Sequence, residues 1–193
     1  MLMVMKMKLD IAVSVRHVHL SEEDFNILFP GEKLNVFKEL SQEPNFSSDK
    51  KVTLRNGERI IENVRVVGPF RNETQVELSK TDCIYLKIDA PISTSGELDE
   101  ASEIEIVNED ISIKRNAAII QNRHIHMSYE AAENYGYTDD QIVKVKISSK
   151  KGGILDNVHI KLGDKFNDEL HLDTDDGNAF LVDESIKGEI IDD

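Results

Sequence analysis

The sequence predicts a mainly β protein built from two related β-domains, and three observations lead there. Short apolar runs of period two recur along the chain, two brief segments carry helix start and stop signals, and one hexamer occurs twice. The runs are Ile11–Val15, Val64–Val67, Val76–Leu78, Ile104–Val107, Ile142–Ile147 and Val158–Ile160. Alternation of this kind points successive side chains to opposite faces of a strand, one buried and one wet. Many short strands separated by turns close into small barrels or pack as sandwiches.

The two helical segments stand apart from this pattern. Ser21–Phe29 opens on a capping residue, continues with Glu22, Glu23 and Asp24, and stops at Pro30-Gly31. Ser128–Tyr135 also opens on a serine and ends at Gly136. A serine hydroxyl accepts from the unpaired N–H groups of a first turn, and early acids suit its positive end. Each segment is predicted to form a helix of about two turns. Residues 40–50 and 93–101, rich in Ser, Asn, Pro and acids, are predicted loops.

Arg16-His17-Val18-His19-Leu20-Ser21 returns as Arg123-His124-Ile125-His126-Met127-Ser128, an offset of 107. Glu62-Asn63-Val64 matches Asp156-Asn157-Val158 at an offset of 94, which also sets Val76-Glu77-Leu78 against Leu170-His171-Leu172. The difference, 107 − 94 = 13, places an insertion in the first copy, expected within 27–50. A duplicated β-domain explains both offsets.

Composition sets the outer limits. A chain of 193 residues accommodates one large domain or two small ones. Its 39% hydrophobic content supports a folded core. The charge balance, 23 − 37 = −14, argues against nucleic acid or an anionic membrane as a partner, while leaving room for a small anion beside a local cation. The single cysteine, Cys83, cannot form an intramolecular disulfide. No apolar run approaches the roughly 20 residues of a membrane span. The opening MLMVMKMKLD is short, interrupted by Lys6 and Lys8, and lacks a cleavage site, so the cytoplasm is the expected compartment.

The chemistry concentrates in the repeats. In a strand, residues two apart share a face, so His17 and His19 project together, as do His124 and His126. A lone H-x-H is unremarkable on a strand; two copies within duplicated hexamers, each with a further donor at a matched position, are not. The expected metal ligands are His17, His19 and Glu77 in one half and His124, His126 and His171 in the other. Three protein donors leave a coordination position open, as catalysis requires, and imidazole with carboxylate favours Zn²⁺ over Fe, Co, Ni or Mn. Arg71, in Gly68-Pro69-Phe70-Arg71-Asn72-Glu73-Thr74-Gln75, precedes Glu77 by six residues and offers a donor fork suited to phosphate; its counterpart is Lys165. Cys83, in an apolar run read as a strand, is expected to be buried packing. Asp173, Asp175 and Asp176 could orient His171 or form a solvated turn, and His159 is expected to face outward.

VSVRHVHLSEEDFNILF, ENVRVVGPFRNETQVELSKTD, APISTSGELD, RHIHMSYEAAENYG and DNVHIKLGDKFNDELHLDTDDGNA resemble the motifs of phosphate propanoyltransferases of the propanediol-utilisation type, from about residue 11 to 180. The resemblance implies two β-barrel domains capped by short α-helices: 16–115, and 116–193 completed by the N-terminal strand 1–15. It implies two Zn²⁺ per chain on the six ligands above. It places the phosphate-binding arginine, with a catalytic role, on Arg71, and supporting substrate contacts on Gln75 and Ser95. Acyl-CoA and inorganic phosphate are the implied partners; a homodimer is compatible. Ser93 stands where relatives usually have arginine, and the loop Leu40-Ser41-Gln42-Glu43-Pro44 also departs from the family pattern; both bear on coenzyme A contacts and acyl preference. Some relatives carry a targeting extension for a bacterial microcompartment, which the roughly ten residues before the first strand here are too few to form.

On this reading acyl-CoA and phosphate exchange with acyl phosphate and CoA, the acyl group being propanoyl or acetyl. Arg71 orients phosphate, zinc supplies Lewis acidity, and no protein nucleophile is needed. The alternative is a two-domain cupin-type metal oxygenase or isomerase, in which Glu22 and Glu130 rather than Glu77 and His171 would complete the ligand sets. A non-catalytic protein with structural zinc fits less well, because both sites keep an open position.

Overall fold

The structure, a computed structural model, describes residues 7–191. In chain order its elements are β1 (Lys8–Ser14), β2 (His17–His19), α1 (Glu22–Leu28), β3 (Val36–Glu39), β4 (Phe46–Asn56), β5 (Arg59–Gly68), β6 (Gln75–Leu78), α2 (Lys80–Leu86), β7 (Ile92–Ser93), β8 (Ser102–Asn108) and β9 (Ile111–Gln121). There follow β10 (His124–Ser128), α3 (Tyr129–Tyr135), β11 (Ile142–Ile147), β12 (Gly153–Gly163), β13 (Glu169–Asp173), α4 (Thr174–Ala179) and β14 (Gly188–Ile191). None of the helices among the described residues is long and apolar enough to cross a membrane.

The described residues form two compact units, 15–121 and 7–14 with 122–191. The division lies beyond the 115/116 position expected from the sequence, because β9 is one continuous strand through Gln121. Residues 1–6 of the expected N-terminal strand lie outside the described residues; of the remainder, Lys8–Ser14 form β1.

Both units are closed six-stranded barrels, as the duplicated pattern requires. In the first, β4, β5, β2, β6, β9 and β8 pair in a ring that shuts through β8 against β4. In the second the ring is β1, β13, β10, β12, β11 and β14. The correspondence is register-deep: His17 stands opposite Glu77 and Arg65, and His124 stands opposite His171 and His159. A strand exchange accompanies it. The strand that leads into β2, namely β1, pairs in parallel with β13, while the strand that leads into β10, namely β9, pairs in parallel with β6. Asn63 and Asn157, aligned by the repeat, share a left-handed backbone (φ 61° and 56°), a conformation asparagine tolerates better than most residues. The insertion lies between α1 and β4, where β3 adds an edge strand with no counterpart between α3 and β11.

The two expected helices are present, capped by Ser21 on Asp24 N and by Ser128 on Ala131 N, with Gly136 in a left-handed cap. Two more, α2 and α4, were not foreseen. β-branched and aromatic residues in Lys80–Leu86 read as strand, but Ser79 and Asp82 form a reciprocal capping box that fixes the first turn. Cys83 therefore lies on a helix, fully buried, rather than on a strand. The loop expected at 40–50 is correct only in part, since β4 begins at Phe46; its polar Ser48 is buried and donates its hydroxyl to the Val66 carbonyl at 2.7 Å.

Each barrel holds its own core. Val18, Leu20, Leu54, Val66, Ile104 and Ile106 anchor the first; Leu9, Ile125, Met127, Val145, Ile160 and Leu170 anchor the second. Alternation explains the placement of the histidines. On β2 and β10 the residue between each pair, Val18 or Ile125, is fully buried, so the imidazoles occupy the opposite face. Ile125→Ala should cost about 2–5 kcal/mol of stability, the range for emptying a core aliphatic site. Urea unfolding monitored by circular dichroism would show it; a midpoint equal to the parent's would mean that Ile125 is not part of the packing.

Candidate metal and substrate centre

In the first unit, His17, His19 and Glu77 each bring one donor atom to within 4.8 Å of the other two. The antiparallel pairing of β2 and β6 does this, setting His17 opposite Glu77 and His19 opposite Gln75 on one face. His17 Nδ1 lies 2.9 Å from the Val15 carbonyl and His19 Nδ1 3.1 Å from the Val67 carbonyl. A carbonyl only accepts, so both Nδ1 atoms carry a proton, and in a neutral ring Nε2 is then the atom that presents a lone pair. Both Nε2 atoms face a carboxylate: His17 Nε2 is 3.3 Å from Glu77 Oε2, and His19 Nε2 is 3.9 Å from Oε1. Burial, then the neighbouring His17 and then Arg71, hold the His19 pKa well below its ordinary value, so its neutral form persists. Acceptors converging with their outer nitrogens tied to backbone are what a divalent cation requires, and this donor set fits one.

Arg71 reaches the same place from a turn. Its backbone N–H donates to the Leu20 carbonyl at 3.0 Å, fastening the turn to the end of β2. Its Nη2 points at His19 Nε2 at 3.3 Å and its Nη1 donates to Ser95 Oγ at 3.2 Å. Ser95 Oγ also accepts from Gln75 Nε2 at 2.9 Å and donates to Glu77 Oε1 at 3.3 Å. Gln75 Nε2 donates to Glu77 Oε1 at 2.6 Å, while its Oε1 accepts from the Gly96 backbone at 2.8 Å. Arg71, Gln75 and Ser95 are thus joined to the metal-type cluster in one hydrogen-bonded network. Burial lowers the guanidinium pKa and the Glu77 carboxylate opposes that shift; the group stays a cation at neutral pH.

In the second unit, His124, His126 and His171 form the matching cluster, again with donor atoms within 4.8 Å of one another. His124 Nδ1 is 2.9 Å from the Asn122 carbonyl, the same anchor two residues back that His17 uses. His126 Nδ1 and His171 Nε2 approach to 3.2 Å. Glu169, opposite His126 on β13, places Oε2 3.0 Å from His171 Nε2. At the position aligned with Arg71, this unit has Lys165.

The sequence family phosphate propanoyltransferase matches residues 10–183, from β1 through the end of α4 and thus through both clusters. The chain belongs to the phosphate propanoyltransferase family. Among its relatives, the phosphate propanoyltransferase of Thermotoga maritima is 43% identical over 175 residues, covering 89% of this chain and 83% of that protein. That of Alkaliphilus metalliredigens is 39% identical over 187 residues, 96% and 88% of the two chains. That of Levilactobacillus brevis is 37% identical over 185 residues, 95% and 89%. Membership of the phosphate propanoyltransferase family makes the chain an acyltransferase.

The cupin alternative falls on its own criterion. Glu22 and Glu130 are exposed in the first turns of α1 and α3, and neither belongs to a cluster. Asp173 and Asp176 do not orient His171: Asp173 caps α4 through Asp176 N, and Asp176 binds Arg123. The carboxylate beside His171 is Glu169, which sequence reasoning missed. Its signal was available, because residues two apart share a strand face and Glu169-x-His171 repeats the Gln75-x-Glu77 spacing. His159 lies on β12 opposite His124, with Nδ1 3.0 Å from Asp140 Oδ1, and is not among the three grouped donors.

Proposed function

We propose that this chain is a phosphotransacylase that interconverts acyl-CoA plus inorganic phosphate with acyl phosphate plus CoA, using propanoyl or acetyl groups, with Zn²⁺ held at both clusters. The observation that carries this reading is the network joining Arg71 to His19 and, through Ser95, to Glu77, because it sets a phosphate-binding cation against a metal-type donor set.

His17, His19 and Glu77 would hold one ion and His124, His126 and His171 the other. Each ion, when bound, would supply Lewis acidity and an acceptor for thiolate sulfur. The protein's own groups do the positioning. Phosphate is ionised near neutral pH and needs orientation rather than deprotonation, which the guanidinium fork gives by binding two of its oxygens. Gln75 holds Ser95 and Glu77 with its amide N–H and the Gly96 backbone with its carbonyl, which fixes the loop that carries Ser95. The Ser95 hydroxyl, at the meeting point of Arg71, Gln75 and Glu77, is placed to exchange one of those partners for a phosphate oxygen. Cys83 is sealed in the core and takes no part. Attack of a phosphate oxygen on the thioester carbon forms the new C–O bond as the C–S bond breaks, and CoA leaves as the thiolate.

Release of CoA from propanoyl-CoA by the purified protein, followed with a thiol reagent, tests this reading. Release should require inorganic phosphate and yield propanoyl phosphate; phosphate-independent release would mean hydrolysis and would remove the assignment.

A further inference from the structure

The arginine that opens each duplicated hexamer has no part in the chemistry above, yet both copies do the same thing. Arg16 Nε donates to Asp82 Oδ1 at 2.7 Å. Arg123 donates through Nε and Nη2 to both oxygens of Asp176, each at 2.7 Å. The offsets are those of the repeat, 107 for the arginines and 94 for the aspartates, so the pair is a feature of each half and not a chance surface contact.

Its location is specific. Each arginine directly precedes the first histidine of its cluster, and each aspartate lies five residues beyond the third ligand, at the third position of the helix that follows it. Asp82 is buried and also accepts from the Ser79 N–H; the Asp176 N–H donates to the Asp173 carboxylate. The side-chain link therefore ties the strand bearing two ligands to the helix start that immediately follows the third. It also sits beside the anchor of an imidazole. The carbonyls that hold His17 Nδ1 and His124 Nδ1 belong to Val15 and Asn122, and Arg16 and Arg123 are the single residues between carbonyl and ring. A three-residue segment whose middle side chain is anchored presents its first carbonyl in one direction, and that carbonyl fixes which nitrogen of the ring faces the cluster.

We infer that Arg16–Asp82 and Arg123–Asp176 are positioning pairs, each setting the first histidine of its own cluster for metal binding. The inference rests on the metal reading above and extends it to four residues that touch no donor atom. Loss of a metal ligand's outer partner typically lowers metal affinity about 10–100-fold, and the loss here should be confined to one centre.

The test is chelator competition for Zn²⁺ with the full-length protein, reading one centre at a time. In a His171→Ala background, which leaves the first centre, Arg16→Ala and Asp82→Asn should each weaken zinc binding about 10–100-fold. Arg16→Lys, which keeps the charge but not the fork, should fall between. In a His17→Ala background, Arg123→Ala should do the same to the second centre. Co²⁺ substituted into the first centre should show an altered visible spectrum in Arg16→Ala. The control is Arg55→Ala, which breaks the equally close Arg55–Glu105 pair (2.7 and 2.8 Å) on β4 and β8 of the same barrel. Unchanged affinity in Arg16→Ala and Asp82→Asn, or an equal loss in Arg55→Ala, would overturn the inference and leave the metal reading intact. Failure of the parent protein to bind zinc would remove both. If Arg16→Ala does not fold, Asp82→Asn, which conserves shape and keeps an acceptor for Ser79, decides alone.

Discussion

Arg71→Ala should lower kcat/KM for phosphate by about 10²–10³, equivalent to about 2.7–4 kcal/mol, the range for removing one preorganised donor from a charge-stabilising site. The physical reason is that the guanidinium alone in this network brings a planar fork of donors that can grip two phosphate oxygens. Gln75 and Ser95 are neutral, and a Zn²⁺ held by the cluster would act as a point charge partly offset by the Glu77 carboxylate. The KM for acyl-CoA should change far less, because the guanidinium touches His19 and Ser95 and has no contact that a thioester would inherit. Arg71→Lys should recover only part of the loss, since an ammonium gives a point charge without the planar fork. Initial rates against phosphate at saturating propanoyl-CoA measure both variants. Parent-like values in Arg71→Ala would end the case for this residue.

Removing the metal should be more severe. Dialysis against a strong chelator should bring phosphate-dependent CoA release to background, and stoichiometric Zn²⁺ should restore it. The melting temperature should drop in the same step, because an ion that binds only the folded chain stabilises it by mass action. Glu77→Gln keeps the shape of the side chain and removes the one anionic donor of the first cluster. Its zinc affinity should fall by more than the about 10–100-fold expected for an outer partner. A chelated protein that proves metal-free by elemental analysis while keeping full activity would refute the two-metal reading.

These two effects differ in how far the sequence could anticipate them. The metal-type clusters were legible because their spacing is a property of strands: residues two apart share a face, and duplicated hexamers repeat the pattern at one offset. Register did the rest, for the 94-residue offset that aligns Val64 with Val158 also aligns Glu77 with His171. The network around Arg71 was legible only as a set of names. No periodicity says that Ser95, twenty residues beyond Gln75, returns to Gln75, Glu77 and Arg71. A loop's path is fixed by the contacts at its two ends, here by β7 pairing with β9 and by the Gly96 N–H on Gln75.

What the chain determined by itself was its local order and its symmetry. Strand faces, helix caps at Ser21 and Ser128, and the two families of histidine follow from side-chain alternation and unpaired backbone groups, which act over a few residues. What tertiary structure alone decided was partnership across long separations. It set β1 beside β13, Glu169 beside His171, and Arg16 against Asp82, and it made Lys80–Leu86 a helix against its β-branched content. Such choices depend on closing a barrel, where every edge hydrogen bond must find a partner somewhere else in the chain. Closure is a global condition that no short window of sequence contains.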